Sequence, residues 1–222
     1  MLLQALDSSK VDTFQSEITR WFTNKGRRFP WRRTRDPFKV LIAEVLLRLT
    51  GPLKIEKAYN DIISRFGTPQ FMANADLPAL LEIFRPLGLH VRAGLLKQIA
   101  GELNERFGGE VPSSYAELVS LKGIGQYTAN AILCLAFDKR VPLVDGNVSR
   151  IFHRCFNFSS SKAAYIDREL WGLAQEILPE GSYREFNLGL IDLGALVCKY
   201  SHPLCSSCPI VSICIYYGAS VI

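Results

Sequence analysis

The stretch that decides the fold is LKGIGQYTANAILCLAF, residues 121–137. Gly123 and Gly125 stand two apart, and glycine adopts backbone conformations that other residues resist, so a tight turn is predicted. Apolar residues at helical spacing follow the turn and also precede it at 115–120, which indicates a two-helix hairpin. The first N–H groups of the second helix can bind an anion such as a phosphate. An ordinary turn between two helices would show the same pattern.

Helical periodicity extends through most of the chain. Apolar residues recur three and four apart, and Pro- and Gly-rich segments at 108–114, 138–142 and 178–182 separate the repeats. There is no convincing pair of alternating strands joined by a hairpin turn. We therefore predict an all-α protein, with helices at 11–24, 38–49, 53–66, 77–84, 91–107, 115–120, 126–137, 147–156, 163–177 and 183–199.

The composition is that of a folded chain with a moderately basic surface. It has 222 residues, of which 48% are hydrophobic, and can bury the core of one large or two small domains. The formal net charge of +5 is compatible with a nucleic-acid partner, although many other enzymes are as basic. Residues 25–35, KGRRFPWRRTR, contain no acid, and Phe29 and Trp31 lie between the basic side chains. The run fits either phosphate contacts or a solvated loop.

No targeting signal or membrane span is predicted. The apolar stretch at the N-terminus is too short for a signal peptide, and no segment has the roughly 18 uninterrupted apolar residues that a span requires. We expect a soluble cytoplasmic monomer that makes no membrane contact.

Four of the six cysteines form a compact group near the C-terminus. Cys198, Cys205, Cys208 and Cys214 have the spacing C-x6-C-x2-C-x5-C. In a reducing compartment this argues for a metal site, and four thiolates can hold a tetrahedral zinc ion or a 4Fe-4S cluster. Zinc sites more often pair two C-x2-C units, so the single unit with wide outer gaps favours the cluster. Cys134 and Cys155 lie on apolar helical faces, and we interpret them as core residues.

An acidic residue follows the hairpin at a separation along the chain that allows the two to meet in the fold. Asp145 comes eighteen residues after Tyr127, in LVDGNVSRIFHR, with a helix and a return loop between them. This path can bring both side chains to one cleft. On its own, Asp145 equally fits a helix N-cap or a turn residue.

Together these motifs resemble the helix-hairpin-helix DNA glycosylases that carry an iron-sulfur cluster. The resemblance covers about residues 14–217 and rests on the order of the hairpin, the four-cysteine loop and three further motifs, FPWRRTRDPFKVLIAEVLLRLT (29–50), VDGNVSRI (144–151) and FNLGLIDLGALVC (186–198).

The resemblance implies an all-helical fold of two domains. A six-helix domain would span 29–138 and contain the helix-hairpin-helix at about 116–137. A cluster domain would combine 1–28 with 139–222, including the four-cysteine loop at 198–214. Double-stranded DNA would cross the cleft between them.

The resemblance also implies roles for individual residues. Asp145 matches a catalytic aspartate, which would stabilise positive charge on the sugar as the base leaves and orient a water molecule. Asn147 matches an asparagine that bonds to this aspartate or to the water, although helix capping would also account for it.

Other positions match the parts of the family that contact DNA. The target base must leave the stack, and Leu89 or His90 matches a wedge that fills the gap, while Leu89 also fits a core position. A monovalent cation is expected at the hairpin. Further contacts to DNA are implied for Lys122, Gly123, Gly125, Gln126 and Lys199.

Tyr127 bears on the type of reaction. In relatives that also nick the strand, this position is a lysine whose amine forms a Schiff base with the sugar, which a phenol does not do. The resemblance therefore implies a monofunctional enzyme that leaves an abasic site, with Tyr127 against the flipped nucleotide.

Two monofunctional branches share these motifs, the MutY-type adenine glycosylases and the Mig-type thymine/uracil mismatch glycosylases. Three features favour the Mig type: the chain ends eight residues after Cys214, VLLRLTG follows Glu44 in place of a paired-glutamine pattern, and Leu188 replaces a glutamine that could pair with adenine in the base pocket. The expected substrate is thymine or uracil mispaired with guanine. Adenine opposite guanine or 8-oxoguanine is the alternative, and a non-catalytic DNA-binding module is the third hypothesis.

Glu44 and Arg48 lie one helical turn apart. Glu44 stands among apolar residues in VLIAEVLL, so we expect it to be buried with a raised pKa. The family resemblance gives it a hydrogen bond to the flipped base or to water. Arg48 would be either a structural partner of Glu44 or a contact to the unpaired guanine.

Overall fold

The computed structural model describes residues 7–48 and 51–220, and no strand occurs within these ranges. The all-α prediction is confirmed. The helices are α1 (Ser8–Lys25), α2 (Pro37–Leu47), α3 (Pro52–Phe66), α4 (Pro69–Ala73), α5 (Leu77–Phe84), α6 (His90–Phe107), α7 (Tyr115–Ser120), α8 (Gln126–Leu135), α9 (Gly146–Phe156), α10 (Arg168–Glu176), α11 (Tyr183–Leu196) and α12 (Ile215–Ser220).

The differences from the predicted helices lie at their ends and in two short elements. Helix α10 begins at Arg168 because Asp167 caps it, with Oδ1 accepting from the Leu170 N–H at 3.2 Å. The expected start at 163 falls before a separate 3-10 turn, Ala164–Ile166. Helices α4 and α12 have five and six residues, and so short an element seldom shows apolar periodicity, although α7, also of six residues, was predicted. Of the predicted helix 38–49, residue 49 lies outside the described ranges.

The chain divides into two compact units. One unit is Arg28–Lys139 and contains α2 to α8. The other combines the residues up to Arg27 with those from Arg140 onward, and contains α1 and α9 to α12. No helix of the described part of the chain is long and apolar enough to cross a membrane.

Helix α2 is the centre of the first unit. Its start is fixed by Asp36, whose Oδ1 accepts from the N–H groups of Phe38 and Lys39 at 3.0 and 3.2 Å, and by Pro37 in the first turn. The eight residues from Phe38 to Leu46, other than Lys39, are all buried. A helix that is apolar on nearly every side must be enclosed by its neighbours, which here include α3 and α8. This packing carries Glu44 into the interior.

A buried ion pair joins two helices of the unit that contains α1 and α9 to α12. Arg27 donates from Nε and Nη2 to Asp192 Oδ1 at 2.8 and 2.6 Å, and its backbone N–H donates to Oδ2 at 2.7 Å. The Asp192 side chain is 0% exposed. Removing a carboxylate from water is costly, and these three hydrogen bonds offset that cost. The pair fixes the end of α1 to α11.

The basic run at 25–35 is only partly built into the fold. Arg27 is paired with Asp192, and Arg35 Nη1 lies 3.1 Å from Asp138 Oδ1. The rings of Phe29 and Trp31 are buried and stacked, with centroids 4.8 Å apart. Phe29 and Trp31 are therefore core residues, whereas Lys25, Arg28, Arg33 and Arg35 are exposed, and contacts of these basic side chains to phosphates stay a prediction.

Replacing Asp192 tests the importance of the ion pair. Asp192→Asn keeps the shape but leaves the Arg27 guanidinium, which is 24% exposed, without its anionic partner. We expect the free energy of unfolding to fall by about 3 kcal/mol, because breaking a buried pair leaves an uncompensated charge. Chemical denaturation measures the change, with Asp12→Asn on the exposed side of α1 as the control. Equal midpoints for the two variants and the unmodified protein would contradict this role.

Candidate active site and four-cysteine site

The hairpin between α7 and α8 contains two glycines, and only one of them has a backbone conformation that requires glycine. Gly123 has φ +75°, in the left-handed region, and a Cβ there would lie 3.0 Å from Leu95 Cδ1. Gly125 has φ −94° and ψ 178°, an extended conformation open to any residue, so the expectation of special geometry at both glycines is wrong for Gly125. A Cβ on Gly125 would meet open space. Its lack of a side chain leaves the N-terminus of α8 uncovered.

The other hairpin residues surround this N-terminus. Gln126 and Tyr127 are half-buried in the first turn of α8, and Lys122 is exposed. The backbone N–H of Lys122 donates to Glu102 Oε2 at 3.2 Å, which fixes the turn to α6. The hairpin therefore presents a backbone turn and one basic side chain at its surface, as a phosphate site requires.

Arg48 connects the end of α2 to the hairpin. Its Nη2 donates to the Gly123 carbonyl at 2.7 Å and to Thr128 Oγ1 at 3.3 Å. Burial lowers the pKa of Arg48, and the charge of Glu44 opposes that change. Glu44 itself is buried on α2, as expected. These bonds make Arg48 a structural link within this unit, and the two roles weighed for it, partner of Glu44 or contact to the unpaired guanine, stay predictions.

Arg92 was not recognised from the sequence, although it organises the same region. Its Nη1 donates to the Leu46 carbonyl at 2.7 Å, and its Nη2 contacts the Arg48 carbonyl. These bonds fix the first turn of α6 to the end of α2. The candidate wedge residues precede this turn, with Leu89 half-buried at the cap position of α6 and His90 exposed as its first residue.

Asp145 is the N-cap of α9. Its Oδ1 accepts from the backbone N–H groups of Asn147 and Val148 at 2.8 and 2.9 Å, and its Oδ2 accepts from Asn147 Nδ2 at 2.9 Å. Capping and catalysis are compatible here, because these bonds orient a half-buried carboxylate at the positive end of the helix dipole. Asn147 is not the cap, so the capping explanation for Asn147 is wrong.

A chain of hydrogen bonds on the protein side of Asp145 fixes the orientation of its carboxylate. Asn147 Oδ1 accepts from Arg150 Nη2 at 2.8 Å, and Arg150 also donates to the carbonyls of Gly194 and Cys198, each at 2.8 Å. A Cβ on Gly194 would lie 2.4 Å from Asn147 Cβ, so α9 and α11 touch at this point. Arg150 was not identified from the sequence. Its position one helical turn after Asn147, on the same face of the helix, is the signal that indicates this contact.

The four cysteines line one common cavity. Its wall includes the thiols of Cys198, Cys205, Cys208 and Cys214 together with Arg154 and Cys155, and it is otherwise mainly apolar. Within the described ranges, no group of three or more His, Cys, Asp or Glu side chains could hold a single metal ion. Four thiols around one cavity are the ligand set of an iron-sulfur cluster, in which each thiolate binds a different iron atom.

The thiols differ in their acidity. Burial raises the pKa of Cys208 to about 11 and also raises that of Cys205. A hydrogen bond from Cys155 lowers the pKa of Cys214 to about 6. Metal ligation requires all four as thiolates, so a cationic group bound in the cavity would release protons from the buried thiols.

Cys155 is more than a core residue. It is 1% exposed, as a core position requires, but its side chain lines the cysteine cavity and hydrogen-bonds to Cys214. Cys134, by contrast, is buried within α8. The sequence interpretation of Cys155 as core alone was therefore incomplete.

Lys199 and Leu188, the two predicted site residues not yet described, lie in the same unit as the cysteines. Lys199 is exposed, and its carbonyl accepts from Arg154 Nη1 at 2.7 Å. Leu188 is buried in α11. Tyr127 and Glu44 belong to the unit of α2 to α8, and Asp145 belongs to the other unit, so a shared cleft stays a prediction.

The helical fold, the hairpin and the capped aspartate define a protein of base excision DNA repair. Residues 53–176 match the model of the HhH-GPD superfamily of base excision DNA repair proteins. The chain belongs to this superfamily, which confirms the resemblance found in the sequence.

Individual relatives refine the comparison. The chain is 37% identical to a thymine/uracil-DNA glycosylase of Pyrobaculum aerophilum, over 92% of this chain and 91% of the relative. It is 34% identical to an adenine DNA glycosylase of Buchnera aphidicola, over 92% of this chain but 58% of that relative. The solved structure of a thermostable thymine-DNA glycosylase superposes with a TM-score of 0.91 at 34% identity, covering 96% of this chain and 98% of the other.

Alanine substitutions separate the two hairpin glycines. Gly123→Ala forces a Cβ into the left-handed region and against Leu95, whereas Gly125→Ala introduces a methyl group into open space. We expect Gly123→Ala to lower the free energy of unfolding by about 1 kcal/mol more than Gly125→Ala. Thermal unfolding followed by circular dichroism measures both, and an equal loss would show that the conformation of Gly123 is not constraining.

Proposed function

We propose that this protein is a monofunctional DNA glycosylase that hydrolyses the N-glycosidic bond of thymine or uracil mispaired with guanine in double-stranded DNA. The observation that carries the proposal is the Asp145 carboxylate, which three N–H donors hold at the start of α9. The similarity to a thymine/uracil-DNA glycosylase over nearly the whole chain supports the choice of base.

Asp145 supplies the electrostatic part of the reaction. As the base leaves, positive charge develops on the sugar, and a carboxylate fixed in advance stabilises it without reorganisation. Because both carboxylate oxygens are already bonded to N–H groups, Asp145 holds one orientation toward the sugar and the attacking water. Asn147 maintains that orientation, and Arg150 in turn fixes the Asn147 amide.

The base and its sugar contact the other unit in this proposal. Tyr127 packs against the flipped nucleotide, and Glu44 hydrogen-bonds to the base or to a water molecule. From the unit of Asp145, Leu188 on α11 belongs to the base pocket and offers no amide to the edge of an adenine. A tyrosine in place of the lysine needed for a Schiff base leaves hydrolysis as the route.

The duplex is held mainly through its phosphates. The uncovered N-terminus of α8 at Gly125 and the backbone turn at Gly123 receive one phosphate, with a monovalent cation at the hairpin and with Lys122 and Gln126 beside it. Lys199 adds a basic contact, and Leu89 or His90 fills the gap left by the flipped base. The protein would act on DNA as a cytoplasmic monomer, with an affinity that falls as salt rises.

Cys198, Cys205, Cys208 and Cys214 would hold a 4Fe-4S cluster. The four thiols around a mainly apolar cavity fit this group, and zinc is the less favoured occupant. When bound, the cluster crosslinks the C-terminal loop and so supports the fold rather than the bond-breaking step. The loop that carries Lys199 begins directly after Cys198, so the cluster would also fix this basic residue.

Adenine removal is the second candidate. It is favoured by the 34% identity to an adenine DNA glycosylase, and Glu44 suits protonation of an adenine ring nitrogen. The buried Leu188, which has no hydrogen-bonding side chain, favours the pyrimidine substrate instead.

A panel of duplexes decides between these functions. Single-turnover assays with T:G, U:G, A:G and A:8-oxoguanine pairs should show release of thymine and uracil and little release of adenine. Preferential release from A:8-oxoguanine would establish the adenine alternative, and no release from any duplex would leave a DNA-binding module.

Asp145→Asn tests the catalytic carboxylate without removing the helix cap. Asparagine caps a helix as well as aspartate does, so the fold and DNA binding should be retained. We expect release to slow by about 10³-fold, within the range for loss of a positioned catalytic group. Asp12→Asn, on the exposed face of α1, is the control. A release rate within twofold of the unmodified protein would exclude Asp145 from the reaction.

Tyr127→Lys tests whether the lack of an amine at this position is the reason that we expect no strand nicking. The unmodified protein should leave intact abasic sites and form no covalent complex when borohydride is added. With an amine at this position, a Schiff base to the sugar becomes possible, and borohydride should trap it. Trapping by the unmodified protein would contradict the monofunctional assignment.

A further inference from the structure

We propose that Arg154 and Cys155, in the last turn of α9, donate hydrogen bonds to the sulfur atoms of Cys198 and Cys214 and thereby set the reduction potential and oxidative stability of the cluster. The inference rests on the proposed cluster. It concerns two side chains that the spacing of the four cysteines does not reveal.

Arg154 is fixed toward the first cysteine. Its Nη1 lies 3.4 Å from Cys198 Sγ and donates to the Lys199 carbonyl at 2.7 Å, while Nη2 donates to the Tyr200 carbonyl at 2.8 Å. The guanidinium carbon lies 4.8 Å from the centroid of the Tyr216 ring. With three bonds and a ring determining its orientation, the charged group remains beside the sulfur.

Cys155 faces the last cysteine. It lines the same cavity as the four candidate ligands and is 1% exposed. Its thiol also lowers the pKa of Cys214 by hydrogen bonding. Cys214 Sγ also lies 3.6 Å from the Arg154 carbonyl, a contact in which it acts as a thiol donor. Once ligated, Cys214 is a thiolate and can only accept, which leaves Cys155 as the donor in this pair.

The donors therefore act on the two outer cysteines of C-x6-C-x2-C-x5-C. Hydrogen bonds to the sulfur atoms of a cluster withdraw electron density and raise its reduction potential, and a charged donor acts more strongly than a neutral one. Outer-shell groups of this kind also orient the ligands. Removing either donor should make the cluster easier to oxidise.

The placement of both donors on α9 has a structural consequence. The same helix begins at Asp145 and carries Arg150, whose guanidinium reaches the Cys198 carbonyl. A change in ligand position at Cys198 would therefore act on the end of the helix whose start holds the proposed catalytic carboxylate.

Substitution of Cys155 provides the test, with Cys134 as a matched control. Cys155→Ala and Cys155→Val remove the donor, and valine also fills the volume if the alanine variant does not fold. Cys155→Ser retains a donor. Cys134→Ala changes the other buried cysteine, which lies in α8 and outside the cavity. Iron and sulfide content, the one-electron potential by voltammetry, and the rate of bleaching by dioxygen are measured for each holoprotein.

We expect every variant to retain iron and sulfide at the level of the unmodified protein. Loss of the Cys155 donor should favour the oxidised cluster by about tenfold, which corresponds to a potential lower by about 59 mV, and should accelerate bleaching several-fold. Cys155→Ser and Cys134→Ala should stay near the unmodified values. Arg154→Gln, which replaces a charged donor by a neutral one, should shift the potential in the same direction.

Several results would overturn the inference. An unchanged potential and bleaching rate in Cys155→Ala and Cys155→Val would show that the hydrogen bond has no effect on the cluster. Loss of iron from all Cys155 variants, as severe as from Cys208→Ala, would make Cys155 a ligand instead of a donor. Absence of iron from the unmodified protein would remove the cluster itself, and the base-release assay would then report on the proposed function independently.

Discussion

At the first turn of α9, the Asp145 carboxylate accepts three N–H hydrogen bonds, and the polar contacts of Asn147 and Arg150 in the same unit depend on this cap. The cap satisfies orphan donors that every helix leaves at its N-terminus, so it contributes to folding whether or not catalysis follows. The same bonds orient the carboxylate in advance, which electrostatic stabilisation of a developing charge requires. One interaction thus serves both the helix cap that is observed and the catalytic carboxylate that we propose.

The orientation of Asp145 depends on how closely α9 approaches α11. Contact at Gly194 leaves no space for a side chain, and Arg150 bonds across it to the Gly194 and Cys198 carbonyls. Helix α11 is in turn fixed to α1 by the pair between Arg27 and Asp192. The aspartate is therefore held by a succession of part-buried polar bonds that runs from α9 through α11 to α1.

The unit of α2 to α8 uses arginine in the same way. Arg48 bonds to the Gly123 carbonyl, and Arg92 bonds to carbonyls at the end of α2, so the hairpin and the start of α6 are fixed to one helix end. The last carbonyls of a helix have no partner within it, and an arginine satisfies several of them with one planar group. Basic residues that suggest nucleic acid in a sequence thus also serve the fold, as Arg92 does at the end of α2.

The sequence by itself determined the features that depend on neighbours along the chain: the helices, the turn at Gly123 and the cysteine spacing. Family resemblance added the role of Asp145, because its motif is local. Only the tertiary structure decided that Arg27 pairs with a residue 165 positions away, that Arg150 supports Asn147, and that Cys155 faces the cysteine cavity. Periodicity shows which side of a helix is buried, but the partner of a buried polar group depends on which helices pack together, and that is set by the whole core.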